Sequence, residues 1–134
     1  MNEQRWAFVL CRDREHLEQL SRVGDYAEHL AGAGAAIALV TPDTDEDWRR
    51  ESISFDLGQC AQNMTLTAWE LGIGSVHAAV YDEDLVRALL GYPQGYRCDY
   101  LLSFGYPAGG SLPKPNESGR KPLRQLVHEE RWRR

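Results

Sequence analysis

The stretch SFDLGQCAQNMTLTAWELGIGS, Ser54 to Ser75, decides how this chain is read. Leu57, Cys60, Ala61, Met64, Ala68 and Leu71 recur at spacings of three and four, which is one face of an α-helix. Ser52 or Ser54 can cap its start, and Asp56 in the first turn suits the positive end of the helix dipole. Gly72 and Gly74 end it, because glycine accepts the left-handed conformation that a helix stop needs. The expected helix spans 54–72. Its other side is not solvent-like: Gln59, Gln62, Asn63, Thr65 and Thr67 carry no charge, and Trp69 is large. It is therefore either the core helix of a monomer or a helix that also faces a second subunit. The pattern favours the second.

Working outward, Trp6–Cys11 and Ala35–Thr41 are short apolar runs and predict buried strands. Between them, Asp13 can cap a helix. Leu17, Leu20 and Val23, then Tyr26, Ala27 and Leu30, predict two short amphipathic helices broken near Gly24. Asp43–Glu51 is charged and reads as a solvated loop or helix lead-in. After the long helix come a strand at Ser75–Val80, a helix from Asp82 to Leu90 stopped by Gly91, and a strand at Tyr100–Tyr106. Ala108–Pro122, rich in Gly, Pro and Ser, predicts an exposed loop. A last helix starts at Pro122, with Leu123, Leu126 and Val127 inward.

The 134 residues predict one domain with a sizeable core, and no linker or repeat interrupts them. The net charge of −5 argues against general nucleic-acid binding. No apolar run has the length of a membrane span, and MNEQRW lacks a signal-peptide pattern. Cys11, Cys60 and Cys98, odd in number and widely spaced, read as reduced and buried, hence as a cytoplasmic protein.

Chemistry is marked mostly by absences. His16, His29, His77 and His128 are scattered without metal-ligand spacing, and there is no Cys-x-x-Cys, nucleophile elbow or phosphate loop. Gly32-Ala33-Gly34 stands after a helix and before a strand, the wrong order for cradling a pyrophosphate. No acid–base pair can be chosen, so an enzyme built on this chain would leave its reaction to a bound cofactor.

Four segments together resemble the FMN-dependent nitroreductase family. Asn2-Glu3-Gln4-Arg5-Trp6 is similar to the family's Asn-x-Gln-Pro-Trp ahead of a strand, with Arg5 replacing the proline. The long helix follows, Asp56 to Met64, running into Leu71-Gly72-Ile73-Gly74-Ser75. Then come Leu89-Leu90-Gly91-Tyr92-Pro93 and Gly105-Tyr106-Pro107, and last Gly119-Arg120-Lys121-Pro122-Leu123 with Val127 to Trp132. Order and spacing hold across nearly the whole chain.

The resemblance implies an α+β fold: a central mixed sheet flanked by helices, with the long helix at a homodimer interface. It further implies FMN at that interface, taking hydride from NADH or NADPH and passing it to nitroaromatics, quinones or other flavins. Ser75, His77, Ala78 and Ala79 fall on the family strand that lies against the flavin ring, where small side chains let a flat ring approach. His77 would stack or hydrogen-bond near the ring, or be an ordinary strand histidine. Arg120 and Lys121 match the family's basic pair near the phosphate, where a guanidinium pairs in two-toothed fashion and a lysine adds point charge. Asn2 and Gln4 match positions that touch the flavin.

The family's segment ahead of its first strand, with an Arg-rich run that grips the phosphate, has no counterpart in these residues. Arg5, Arg12 and Arg14 are the nearby substitutes. A loss of that clamp would weaken FMN binding or abolish it. The alternative function is then a nitroreductase-like homodimer without tight flavin binding, acting as a ligand-binding or interaction protein. A third is a remnant without a biochemical role.

Overall fold

The computed structural model describes residues 3–112 and 119–132. Four strands, β1 (Ala7–Cys11), β2 (Ala35–Pro42), β3 (Gly74–Ala79) and β4 (Tyr96–Gly105), form one sheet in the order β1-β2-β4-β3. Three α-helices connect them: α1 (Arg14–Leu20), α2 (Asp47–Glu70) and α3 (Glu83–Leu90). Short 3-10 turns cover Glu28–Gly32 and Leu123–Gln125.

Every pairing is antiparallel, so the expected mixed sheet is corrected for the described residues. The reason is topological. α2 carries the chain from β2 to β3, and those two strands do run parallel. β4 lies between them, antiparallel to both.

Side-chain alternation divides the core in two. Ala36, Ala38 and Val40 of β2 face one way and pack with Leu17, Leu20, Val23, Leu30, Val86 and Leu101, under α1 and α3. Ile37 and Leu39 face the other way and meet Leu57, Ala61 and Met64 of α2, with Leu102 and Phe104 of β4. A bulge between Leu39 and Val40 pairs these residues with Tyr100 and Cys98, leaving Asp99 extra on β4. The small residues Ala36 and Ala38 leave room for the first core layer, which is fully buried at Leu17, Leu20, Val23, Ala27 and Leu30 to within 1%.

Local signals explain the smaller elements. Asp13 accepts a hydrogen bond from the His16 amide at 2.9 Å and starts α1. Asp82 does the same for α3 through the Leu85 amide at 2.9 Å, and Gly91 ends it at φ 69°. The second expected helix of the 13–30 segment is a 3-10 turn at Glu28–Gly32, with Ala27 and Leu30 buried and Tyr26 outside.

Three boundaries differ from expectation. α2 begins at Asp47, not Ser54, with Glu46 as N-cap and no side-chain cap bond. The charges that read as a loop are the solvated face of its first turns, joined by Arg49–Glu46 and Arg50–Asp47 ion pairs at i,i+3. Its end is as expected, with Gly72 at φ 73° and the Ile73 amide donating to the Ala68 carbonyl. β4 begins at Tyr96 rather than Tyr100. The last helix is only the Leu123–Gln125 turn, and Leu123, Leu126 and Val127 point outward, 75%, 57% and 61% exposed. Nothing of the described chain covers that apolar side, so no burial offsets the ordering of a longer helix.

Candidate functional site

α2 is the element that makes a site. It is 24 residues long but buries only Ile53, Leu57 and Ala68. It crosses the sheet as a ridge, with an opening on each side. On one side Ile37, Cys60, Met64, Ala68, Ile73 and Phe104 line an open apolar groove. On the other, a cleft of about 240 Å³ runs between α2 and strands β2, β4 and β3.

The walls of this cleft are apolar: Leu39 and Leu102 on the sheet, Ile53, Leu57 and Ala61 on the helix, with Gly58 adding no side chain. Its polar groups are Thr41, Ser54, Gln62, Thr65, His77, Asp99 and Tyr100. Apolar walls with a few convergent polar groups are the usual make-up of a small-molecule site. The β4 bulge matters here, because it brings both Asp99 and Tyr100 into the lining. The His77 ring meets Tyr100 edge-on, with centroids 6.4 Å apart. Among the described residues no lysine or arginine lines the cleft; the nearby Arg97 guanidinium is held by Asp99 and by Asp43 at 3.6 Å.

Of the described residues expected to touch a cofactor, the structure brings only His77 into this cleft. Ser75 lies at the start of β3, in a shallower opening with His29, Trp69, Ser103 and Tyr106. Ala78 is fully buried in the core under α1 and α3, so its side chain faces away from the α2 cleft. Ala79 is half-buried on the same strand. Gln4 lines a separate cleft at the first turns of α2. Arg120 and Lys121 are exposed and line none of these openings. Asn2 lies outside the described residues.

Thr41, Gln62, Thr65, Asp99 and Tyr100 were missed by sequence reasoning. Thr41, Asp99 and Tyr100 sit at strand ends or at a bulge that no local pattern announces. Gln62 and Thr65 did leave a signal, as uncharged residues on the far side of the long helix.

Behind β3, His29 Nδ1 lies 2.8 Å from Ser103 Oγ, which donates to the Val76 carbonyl at 3.2 Å. With that hydroxyl proton committed, Nδ1 carries a proton and donates to Ser103 Oγ. Burial lowers the His29 pKa below 6.5. Of the three free cysteines, Cys11 and Cys98 are buried and Cys60 is half-buried, a correction to the expectation that all are buried. Burial pushes the Cys98 thiol up to about 12.

Fold and cleft define an α+β arrangement in which one long helix crosses an antiparallel sheet and shelters an apolar slot sized for a small ligand. Comparison makes this specific: the family model described as Nitroreductase family matches residues 1–106. The chain belongs to the nitroreductase family. It is 31% identical, over 98% of its length and 76% of the relative's, to a candidate NADH dehydrogenase/NAD(P)H nitroreductase of Archaeoglobus fulgidus. The crystal structure of a candidate NADH dehydrogenase/NAD(P)H nitroreductase from Bacteroides thetaiotaomicron superposes with a TM-score of 0.79 at 24% identity, covering 98% of this chain and 75% of that one. An FMN-dependent nitroreductase from Clostridium difficile superposes with a TM-score of 0.77 at 23% identity, covering 97% and 78%. At these identities the two structures speak for the fold.

Proposed function

We propose that this protein is an FMN-dependent NAD(P)H oxidoreductase that works as a homodimer joined through α2. Its acceptors are nitroaromatics, quinones or other flavins. The observation that carries this reading is α2 itself, which leaves Phe55, Leu66, Trp69 and Leu71 between 49% and 73% exposed along a helix that also walls the apolar slot. A monomer seldom presents so much apolar surface on one element. Family membership and the FMN-dependent neighbour support the choice of cofactor.

The lining fits the ring half of FMN. Leu39, Leu57 and Leu102 offer apolar faces, and Thr41, Gln62 and His77 offer hydrogen bonds to a ring edge. It does not supply the phosphate end, so Arg120 and Lys121 are assigned to it, acting across the dimer. FMN, when bound, accepts and donates the hydride. The chain's own residues hold the ring flat, keep water from its apolar faces and present His77 at the lip of the slot. The reduced cysteines suit a cytoplasmic setting.

A specific observation supports a second reading, a nitroreductase-like dimer that does not bind flavin tightly: among the described residues no lysine or arginine lines the slot. The purified protein's visible spectrum, before and after incubation with FMN, separates the two. A flavin band that stays with the protein on desalting supports the enzyme. A colourless protein with no heat of FMN binding overturns it. NADPH-driven reduction of a quinone at ordinary rates removes the second reading.

A further inference from the structure

A second cleft, of about 200 Å³, adjoins the apolar slot and shares Ile53 with it. It lies between the residues that lead into β1 and the first turns of α2. We infer that this cleft holds the adenine end of the nicotinamide dinucleotide. The inference rests on the oxidoreductase reading above and adds to it a place for the part of the donor that does not react.

Four features point to a heteroaromatic base. Trp48 is 58% exposed although it sits on a helix, and it lines the cleft. Two guanidiniums flank that indole, Arg5 at 5.8 Å and Arg49 at 5.3 Å from the ring centroid. A base slid onto the same platform stacks on the indole and meets guanidinium planes, the combination that binds bases without reading their sequence. The edge groups are of the kind adenine needs: the Gln4 amide can both donate and accept, Ser52 carries a hydroxyl, and the Asp56 carboxylate accepts from an exocyclic amine. Gln4 is also held at φ 46°, a left-handed conformation uncommon for a side-chain-bearing residue and found often at ligand contacts.

Charge and size narrow the ligand. Glu3 and Asp56 offset Arg5 in the lining, so the cleft favours a neutral ring over a bare anion. It is too small for a whole dinucleotide and suits one base. Because Ile53 borders both clefts, a dinucleotide whose nicotinamide lies against the flavin at the mouth of the slot passes its linker over one side chain to reach Trp48.

Adenosine 5′-monophosphate tests this, titrated into the 134-residue chain without NAD(P)H and followed by tryptophan fluorescence and by calorimetry. Saturable binding is expected, with uridine 5′-monophosphate weaker. Trp48→Ala should weaken AMP binding about tenfold or more, the usual scale for losing one base-stacking platform. Asp56→Asn, which keeps the shape, should weaken it less and do so for adenine more than for uracil. No saturable AMP signal in the wild type, or unchanged AMP affinity in both variants, overturns the inference. FMN binding is read separately by absorbance: AMP binding without FMN binding would leave this cleft standing and remove the oxidoreductase reading.

Discussion

A missing methyl group sets how closely two segments meet at Gly24. A Cβ built there would lie 2.2 Å from the Ala79 carbonyl oxygen. The same turn is tied to the end of β3 by the Tyr81 and Asp82 amides, which donate to the Val23 carbonyl at 2.8 and 3.0 Å. Gly24→Ala should therefore lower unfolding free energy by about 1–3 kcal/mol, the usual cost of overpacking, and shift the urea midpoint accordingly. His29 makes a pH prediction. Its folded-state pKa is depressed by burial, so the unfolded chain binds the proton more readily. Its contribution is present above about 6.5, the unfolded value, and is lost as pH falls through the lower folded value. Urea unfolding at a series of pH values should show that loss, and His29→Asn should flatten the slope in this window. The cysteines differ in the same spirit: under native conditions a thiol reagent should label Cys98 far more slowly than Cys60, and unfolding should erase the difference.

At the scale of the element, α2 has one side that stabilises the chain and another that does not. Leu57 is 8% exposed and packs with Leu39 and Leu102. Leu57→Ala should cost about 2–4 kcal/mol in denaturant unfolding through lost burial and a cavity. Phe55 and Leu66 are 73% and 57% exposed. Their joint replacement by serine should barely change the unfolding of a single chain, yet it should break the proposed dimer, read by light scattering across a concentration series. A double variant that keeps a two-copy mass would take the interface away from these residues. The exposed apolar turn at Leu123–Val127 belongs to the same picture, since nothing in the described chain covers it.

At the scale of the whole molecule, the proposed function predicts linkage between assembly, cofactor and stability. A ligand that binds only the folded state stabilises it by RT ln(1 + [L]/Kd), about 2.7 kcal/mol at a hundredfold excess over Kd. The melting temperature should rise with FMN concentration and with protein concentration. Arg120→Ala with Lys121→Ala should reduce the FMN-dependent rise, each variant being compared with its own melt without FMN.

What was readable in the sequence is what depends on near neighbours. The long helix, its Gly72 stop, the cap at Asp13, the helix start near Asp82 and the cores of the four strands all follow from periodicity and from side chains a few residues apart. The resemblance across four segments extended that local reading to the family, because ordered motifs record a fold even where no motif is specific. What only the tertiary structure decided depends on distant pairings. β4 lies between β2 and β3, its bulge turns Asp99 and Tyr100 into the slot, and Ala78 ends on the opposite face from His77. Neighbouring residues on a strand point to opposite sides of the sheet, and which side becomes a cleft is set by the helix that crosses it. No stretch of sequence records that choice by itself, since it is made by residues brought together only when the chain folds.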